Sequence, residues 1–397
     1  MAPSGSTEQP LRPTPLEVAS GVVVGEAPAA APPDAGGGLS PRQALERLVL
    51  PALLRPPCLV SFSGGRDSSL VLTIAAHVAR REGLPLPSPI TVRVADAPAA
   101  QEDWHQQTLL HHLGLTDQWI RLDVPQGEFD WVGPVAGRVL RRHGLLWPPN
   151  AFFHAPLFEQ ARGGSLLTGV GGDQMMATWR SARAMQVVSG RARPAPRDAL
   201  HVGLAFAPRA VRAAVRRRRD DVPSWLRPPV ARDVMRRRAA EDASEPRRWD
   251  RRLPWVERRR ILAATRWSLA LIAADSGTHV AHPLADPLFV GALARAGGAG
   301  GLGDRRAIIN MLLSDLLPDV LLGRADKALF QEVFFSAPFR EFVRTWDGRG
   351  VDPALVDVER LRAEWAQEVP HSRTALVLQA AWLSAQGGEA VDRGIER

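Results

Sequence analysis

This chain has one cysteine, Cys58, one lysine, Lys327, and no tyrosine in 397 residues. A single thiol excludes an internal disulfide and a four-cysteine metal site. No apolar run comes near the roughly 18 residues that mark a membrane-spanning helix. The opening MAPSGSTEQP has no charged stretch leading into an apolar one. The reading is a soluble, cytoplasmic protein with no membrane association. The basic surplus is concentrated in one stretch. Residues 209–260 hold 18 arginines against 8 Asp and Glu, out of 50 basic and 42 acidic residues in all, so the remainder stands at 32 against 34. Such a surplus can attract nucleic acid, an acidic peptide or phosphates. Its interleaved acids and sparse apolar residues read instead as a solvated helical surface, and nucleic acid is not the expected partner.

The lysine count is informative by itself. Of the 50 basic residues 49 are arginine, so guanidinium serves wherever a positive surface is needed, and Lys327 is the exception. A compact ammonium fits as a point charge among crowded phosphate oxygens in a way that a planar fork does not.

What is present centres on residues 58–83. Apolar Cys58-Leu59-Val60 leads into Ser61-Phe62-Ser63-Gly64-Gly65-Arg66-Asp67-Ser68-Ser69, and an apolar helical stretch then runs to Gly83. That is a strand, a tight turn and a helix start. Paired glycines permit positive φ and close approach of the backbone to a ligand, and the amides at the helix start favour an anion, with phosphate the obvious candidate. The Walker pattern is absent and no lysine is near. Residues 165–176, SLLTGVGGDQMM, repeat the layout and supply Asp173. Asp67 and Asp173 would then leave the carboxyl ends of two neighbouring parallel strands and suit Mg²⁺ bridged to polyphosphate. Asp173 also fits as a helix N-cap.

Along the chain, residues 1–38 are rich in Pro, Ala, Gly and Ser and read as a disordered tail or linker, with an edge-strand pattern over 18–24. One domain is expected over 39–384. Its α/β nucleotide-binding part covers about 39–180, with strands near 58–60, 89–94, 118–124 and 165–168 alternating with helices; this pattern implies a parallel sheet with helices on both faces. An all-helical portion without a convincing strand follows over about 181–384, and Gly387-Gly388 opens a polar C-terminal tail, 385–397.

The SGG-x-DSS loop resembles the pyrophosphate-binding loop of enzymes that split ATP into AMP and pyrophosphate. Together with TG-x-GGD it resembles the asparagine synthetase family, whose synthetase domain the chain is similar to from about residue 40 to 384. Two further anchors are His282-Pro283-Leu284-Ala285-Asp286, where the family has a PFLD-type segment, and Leu317-Pro318 followed by Arg324-x-x-Lys327. The resemblance implies an adenine-nucleotide alpha-hydrolase-like fold and a ligase using ATP and Mg²⁺. Ser63, Gly64, Gly65, Ser68 and Ser69 would cradle the pyrophosphate, Ser61 and Asp67 would complete the cofactor site, Val92 and Gly169 would contact the nucleoside, and Asp67 and Asp173 would hold the metal. Lys327 would stabilise the developing charge. His279, four residues before Pro283 at the place of a family glutamate, is the candidate general base, although a lone histidine like it, or like His282, is more often a hydrogen-bonded structural residue.

Departures from the family narrow the reading. Glutamine-hydrolysing members carry a nucleophilic cysteine directly after the first methionine; here Ala2 stands there, so no ammonia is expected in cis and a partner protein for that N-terminal domain is. Val170 occupies the position of a family glutamate or tyrosine and can take no proton. A neutral residue there is similar to lasso-peptide cyclases, which adenylate an Asp or Glu side chain and let a peptide's α-amine attack it, although those usually retain an N-terminal domain. The expected function is an AMP- and pyrophosphate-forming amide ligase acting on a carboxylate, plausibly that of a ribosomal precursor peptide. An ammonia-dependent asparagine synthetase is the nearest alternative. A tRNA-modifying ATP pyrophosphatase would explain the arginines but not TGVGGD, and a non-catalytic nucleotide-binding partner would not need Asp67, Asp173 and Lys327.

Overall fold

Alternation within short apolar strands builds the sheet. In Cys58–Ser61 (β1) the side chains of Cys58 and Val60 turn to one face and that of Leu59 to the other. Both faces are buried, so β1 sits in the centre of a parallel sheet rather than at an edge. A computed structural model describes residues 11–27, 38–94, 103–217, 222–322 and 331–395. In it five parallel strands run in the order β3-β2-β1-β4-β5, with β2 Ser88–Val94, β3 Ile120–Val124, β4 Ser165–Leu167 and β5 His279–Ala281. Register is fixed by Leu59 opposite Ser88 and Leu166, and by Ser165 opposite His279.

Cys58, Val60 and Leu167 pack with Val49, Leu53, Leu70 and Ile74 from the helices Pro41–Leu53 and Arg66–Arg81. On the other face Leu59, Ile90 and Leu166 meet Phe129, Phe152 and Phe158. Each fully buried Leu or Phe contributes about 1.5–3 kcal/mol, so the centre of the sheet is its most rigid part. Burial also pushes the Cys58 thiol up to about 11. It stays protonated and acts as a core residue.

Three expectations are corrected. A strand does follow residue 180: β5 has only three residues and begins on an exposed histidine, so it carries no apolar run, and it forms because β4 offers it a free edge. Residues 11–27 are not a disordered tail or a strand. Thr14 and Glu17 form a reciprocal cap on the helix Pro15–Ser20, which ends on Gly21 at φ 61°. Trp225 Nε1 donates to the Ala19 carbonyl at 2.8 Å, and Arg260 Nε donates to the Glu17 carboxylate at 2.8 Å. The Pro, Ala and Gly on either side hide this short capped segment in the composition. At the other end the helix Ala375–Ile395 continues through Gly387-Gly388, since helix formers flank the pair and each glycine costs only about 1 kcal/mol.

Candidate active site

Sheet order places a crevice at the carboxyl ends of β1 and β4, because the chain leaves β1 toward β2 on one side and returns to β4 on the other. Both glycine-rich turns open into it. After β1, Gly64 takes φ 80°, a conformation that suits glycine, and Gly65 starts the helix Arg66–Arg81 without a side-chain cap. The serines hold the loop from within. Ser63 Oγ accepts from the Gly65 amide at 3.2 Å and lies 3.2 Å from Ser68 Oγ; Ser68 Oγ donates to the Gly65 carbonyl at 2.9 Å. Ser69 Oγ reaches the Gly64 carbonyl at 3.5 Å. Ser61 ends β1 opposite Ile90, two residues before Val92, so Val92 lies beside the loop. After β4, a Cβ on Gly169 would stand 3.0 Å from the Asp67 Cβ, and one on Gly172 would overlap the Asp67 carboxylate. The two loops are packed backbone against side chain.

Asp67 and Asp173 are brought together by a residue that sequence reading passes over. Arg305, the first residue of the helix Arg305–Leu313, pairs through Nη2 with Asp67 Oδ1 and through Nη1, at 2.6 Å, with Asp173 Oδ1. Burial works against its charge, but the pull of Asp67, backed by Asp173, outweighs it and holds the guanidinium above its ordinary value. In a chain with 49 arginines nothing marks this one. Mg²⁺ fits the donor set: two carboxylates near enough to share one guanidinium can share one cation, and Asp173, 57 % exposed, leaves a side open for phosphate oxygens and water. Among the described residues no group of three or more metal-ligating side chains occurs, so the remaining ligands would come from the nucleotide and solvent.

His279 does not reach this crevice. It begins β5 opposite Ser165 and is exposed at the amino end of the sheet, three residues, or about 10 Å, below Thr168. Parallel strands all point one way, so a residue starting one strand cannot meet loops that follow the others. The general-base reading of His279 is therefore withdrawn. His282 takes its place beside the turn: its Nδ1 is 2.6 Å from Thr168 Oγ1, which also accepts from the Val170 amide at 3.3 Å. Its Nε2 is buried without a partner among the described residues, as is His154 Nδ1. Burial, then repulsion from His154 and Arg266, pushes His282 down to about 3, and burial brings His154 down to about 4. Both are neutral imidazoles at pH 7. Lys327 lies outside the described residues.

Among curated proteins nothing matches the chain. Residues 43–385, well over half of it, match the family described as asparagine synthase. That match embraces both glycine-rich loops, the two carboxylates and the five-stranded parallel sheet that carries them, and the chain belongs to the asparagine synthase family.

Proposed function

We propose that this ATP-dependent carbon–nitrogen ligase works through an acyl adenylate. The observation that carries the reading is the convergence of Asp67 and Asp173 on Arg305 from the two loops that face each other across β1 and β4. A substrate carboxylate oxygen attacks the α-phosphorus of ATP, the bond to the bridging oxygen breaks, and pyrophosphate leaves with that electron pair. An amine then attacks the acyl carbon, AMP departs, and the amine loses its proton. Mg²⁺, when bound, neutralises the polyphosphate and polarises it. The amides of the Ser63–Ser69 loop and the start of the helix Arg66–Arg81 hold the leaving pyrophosphate. Lys327 supplies the point charge for the transition state. Val170 can hold no proton, and His282, buried against Thr168 and pushed down to about 3, is too weak a base to take one, so the amine's proton passes to solvent.

The substrate is a peptide carboxylate, and the attacking amine belongs to the same peptide. Absence of a titratable group at position 170 supports this over a free-ammonia reaction, because no dyad is built there to activate a small nucleophile. Purified protein with ATP, Mg²⁺ and a ribosomal precursor peptide should exchange pyrophosphate into ATP, release AMP and yield a product lighter by one water. Release of ADP, or peptide-independent turnover, would remove the reading.

A further inference from the structure

Two carboxylates close enough to share a divalent cation repel one another, and a chain that holds them there must compensate the charge itself. Here one guanidinium does so. Arg305 is fixed at the first turn of its helix by the Asp304 cap on the Ala307 amide at 2.8 Å, which sets the direction in which the side chain leaves the backbone. Its two terminal nitrogens take one oxygen from each aspartate, and its side chain is 23 % exposed. Its Nε is buried without a partner among the described residues, so the aspartates are what hold the guanidinium. A metal ion needs those same oxygens, and both cations cannot occupy one place.

We infer that Arg305 positions Asp67 and Asp173 by standing in the metal's place, so that free Mg²⁺ is excluded and the metal enters only as its nucleotide complex. The inference rests on the reading of Asp67 and Asp173 as metal ligands. A bare divalent ion would have to displace a paired, partly buried guanidinium and leave it facing a like charge. A nucleotide-bound ion brings phosphate oxygens that can take over the guanidinium while the metal takes the carboxylates. Arg305 thereby sets the order of arrival and keeps the site from filling with metal that no phosphate accompanies.

The test is calorimetric titration of the full chain with Mg²⁺ alone, and with Mn²⁺ followed by its electron-spin signal. Wild type is expected to bind either metal weakly without nucleotide. Arg305→Ala and Arg305→Gln should each gain at least about tenfold in metal affinity, and adding Asp67→Asn to either should cancel the gain. With Mg²⁺ and ATP together, wild type should bind both. Equal metal affinity in wild type and in a folded Arg305 variant, or a gain that survives Asp67→Asn, would overturn the inference. Failure of wild type to bind ATP at all would instead count against the ligase reading, while the metal titration would still decide the role of Arg305. Thermal melts of the two variants separate a change at the site from loss of fold.

Discussion

Asp67 lies against Gly172 so closely that a Cβ on the glycine would overlap its carboxylate. The contact joins the loop after β1 to the turn after β4 and fixes one carboxylate by the shape of the other loop's backbone. Gly172→Ala should therefore push Asp67 off Arg305 and out of the crevice. Overpacking of this kind costs roughly 1–3 kcal/mol in stability. An ångström of misplacement costs on the order of 10²-fold in rate. AMP formation and thermal melting, measured on one preparation, check both figures. A variant that keeps more than about a tenth of the rate would show that the loops slide freely past each other.

Much of this arrangement was legible beforehand. Each Gly-rich turn carries its own strand before it and helix start after it, and the parallel sheet followed from the order of apolar and helical segments. Arg305 was not legible, because its role comes from where its helix docks rather than from any local pattern, and its residue type is the commonest cation in the chain. His279 misled for a related reason. Its distance from Pro283 in sequence says nothing about which end of the sheet it occupies; only the pairing of β5 with β4 does. Residues 11–27 were misread because composition averages over a segment, whereas a capped helix needs only Thr14, Pro15, Glu17 and Gly21 in the right places.

Those residues give a second prediction, opposite to the one that composition gives. Glu17 is buried and paired with Arg260, whose side chain is 13 % exposed. Removing one partner of such a pair costs about 3–5 kcal/mol when both are fully buried; with Arg260 partly in reach of water, Glu17→Ala should cost about 2 kcal/mol. Deleting residues 1–27 should cost more, since Trp225 also loses its acceptor at Ala19. Urea denaturation checks the values. A deletion that leaves the midpoint unchanged would mean that the segment lies on the domain without holding it.

Acid stability is the third. In the unfolded chain His154 and His282 titrate near 6.5, whereas folding lowers them to about 4 and about 3. Below pH 6.5 the unfolded state therefore binds protons that the folded state refuses, so stability falls as pH falls toward 4. Each histidine contributes at most about 1.4 kcal/mol per pH unit in that window. Over the same window Asp198, held near 2 by Arg183, keeps its partner, whereas Asp130, raised by burial, takes up its proton more readily in the folded chain and works against the histidine slope. The double variant His154→Gln, His282→Asn should flatten the slope of melting temperature against pH over this window. An unchanged slope would show that neither ring is buried neutral.

The last prediction concerns Lys327. Arginine serves at every other basic position of the chain, so by its own habits Lys327→Arg should be harmless. If the side chain meets the triphosphate and the transition state as a point charge, the longer planar fork misplaces that charge by an ångström or more. The expected loss is then on the order of 10²-fold in AMP formation. ATP affinity should weaken far less, because the loop amides, and a metal on Asp67 and Asp173 if one binds there as proposed, would still hold the nucleotide. Lys327→Ala should lose at least as much rate as Lys327→Arg. The measurement is pyrophosphate exchange with a turned-over peptide, run beside nucleotide titration for both variants. Retention of more than about a third of the wild-type rate by Lys327→Arg, under about 1 kcal/mol of transition-state stabilisation, would remove Lys327 from the catalytic group and leave its singularity to composition alone.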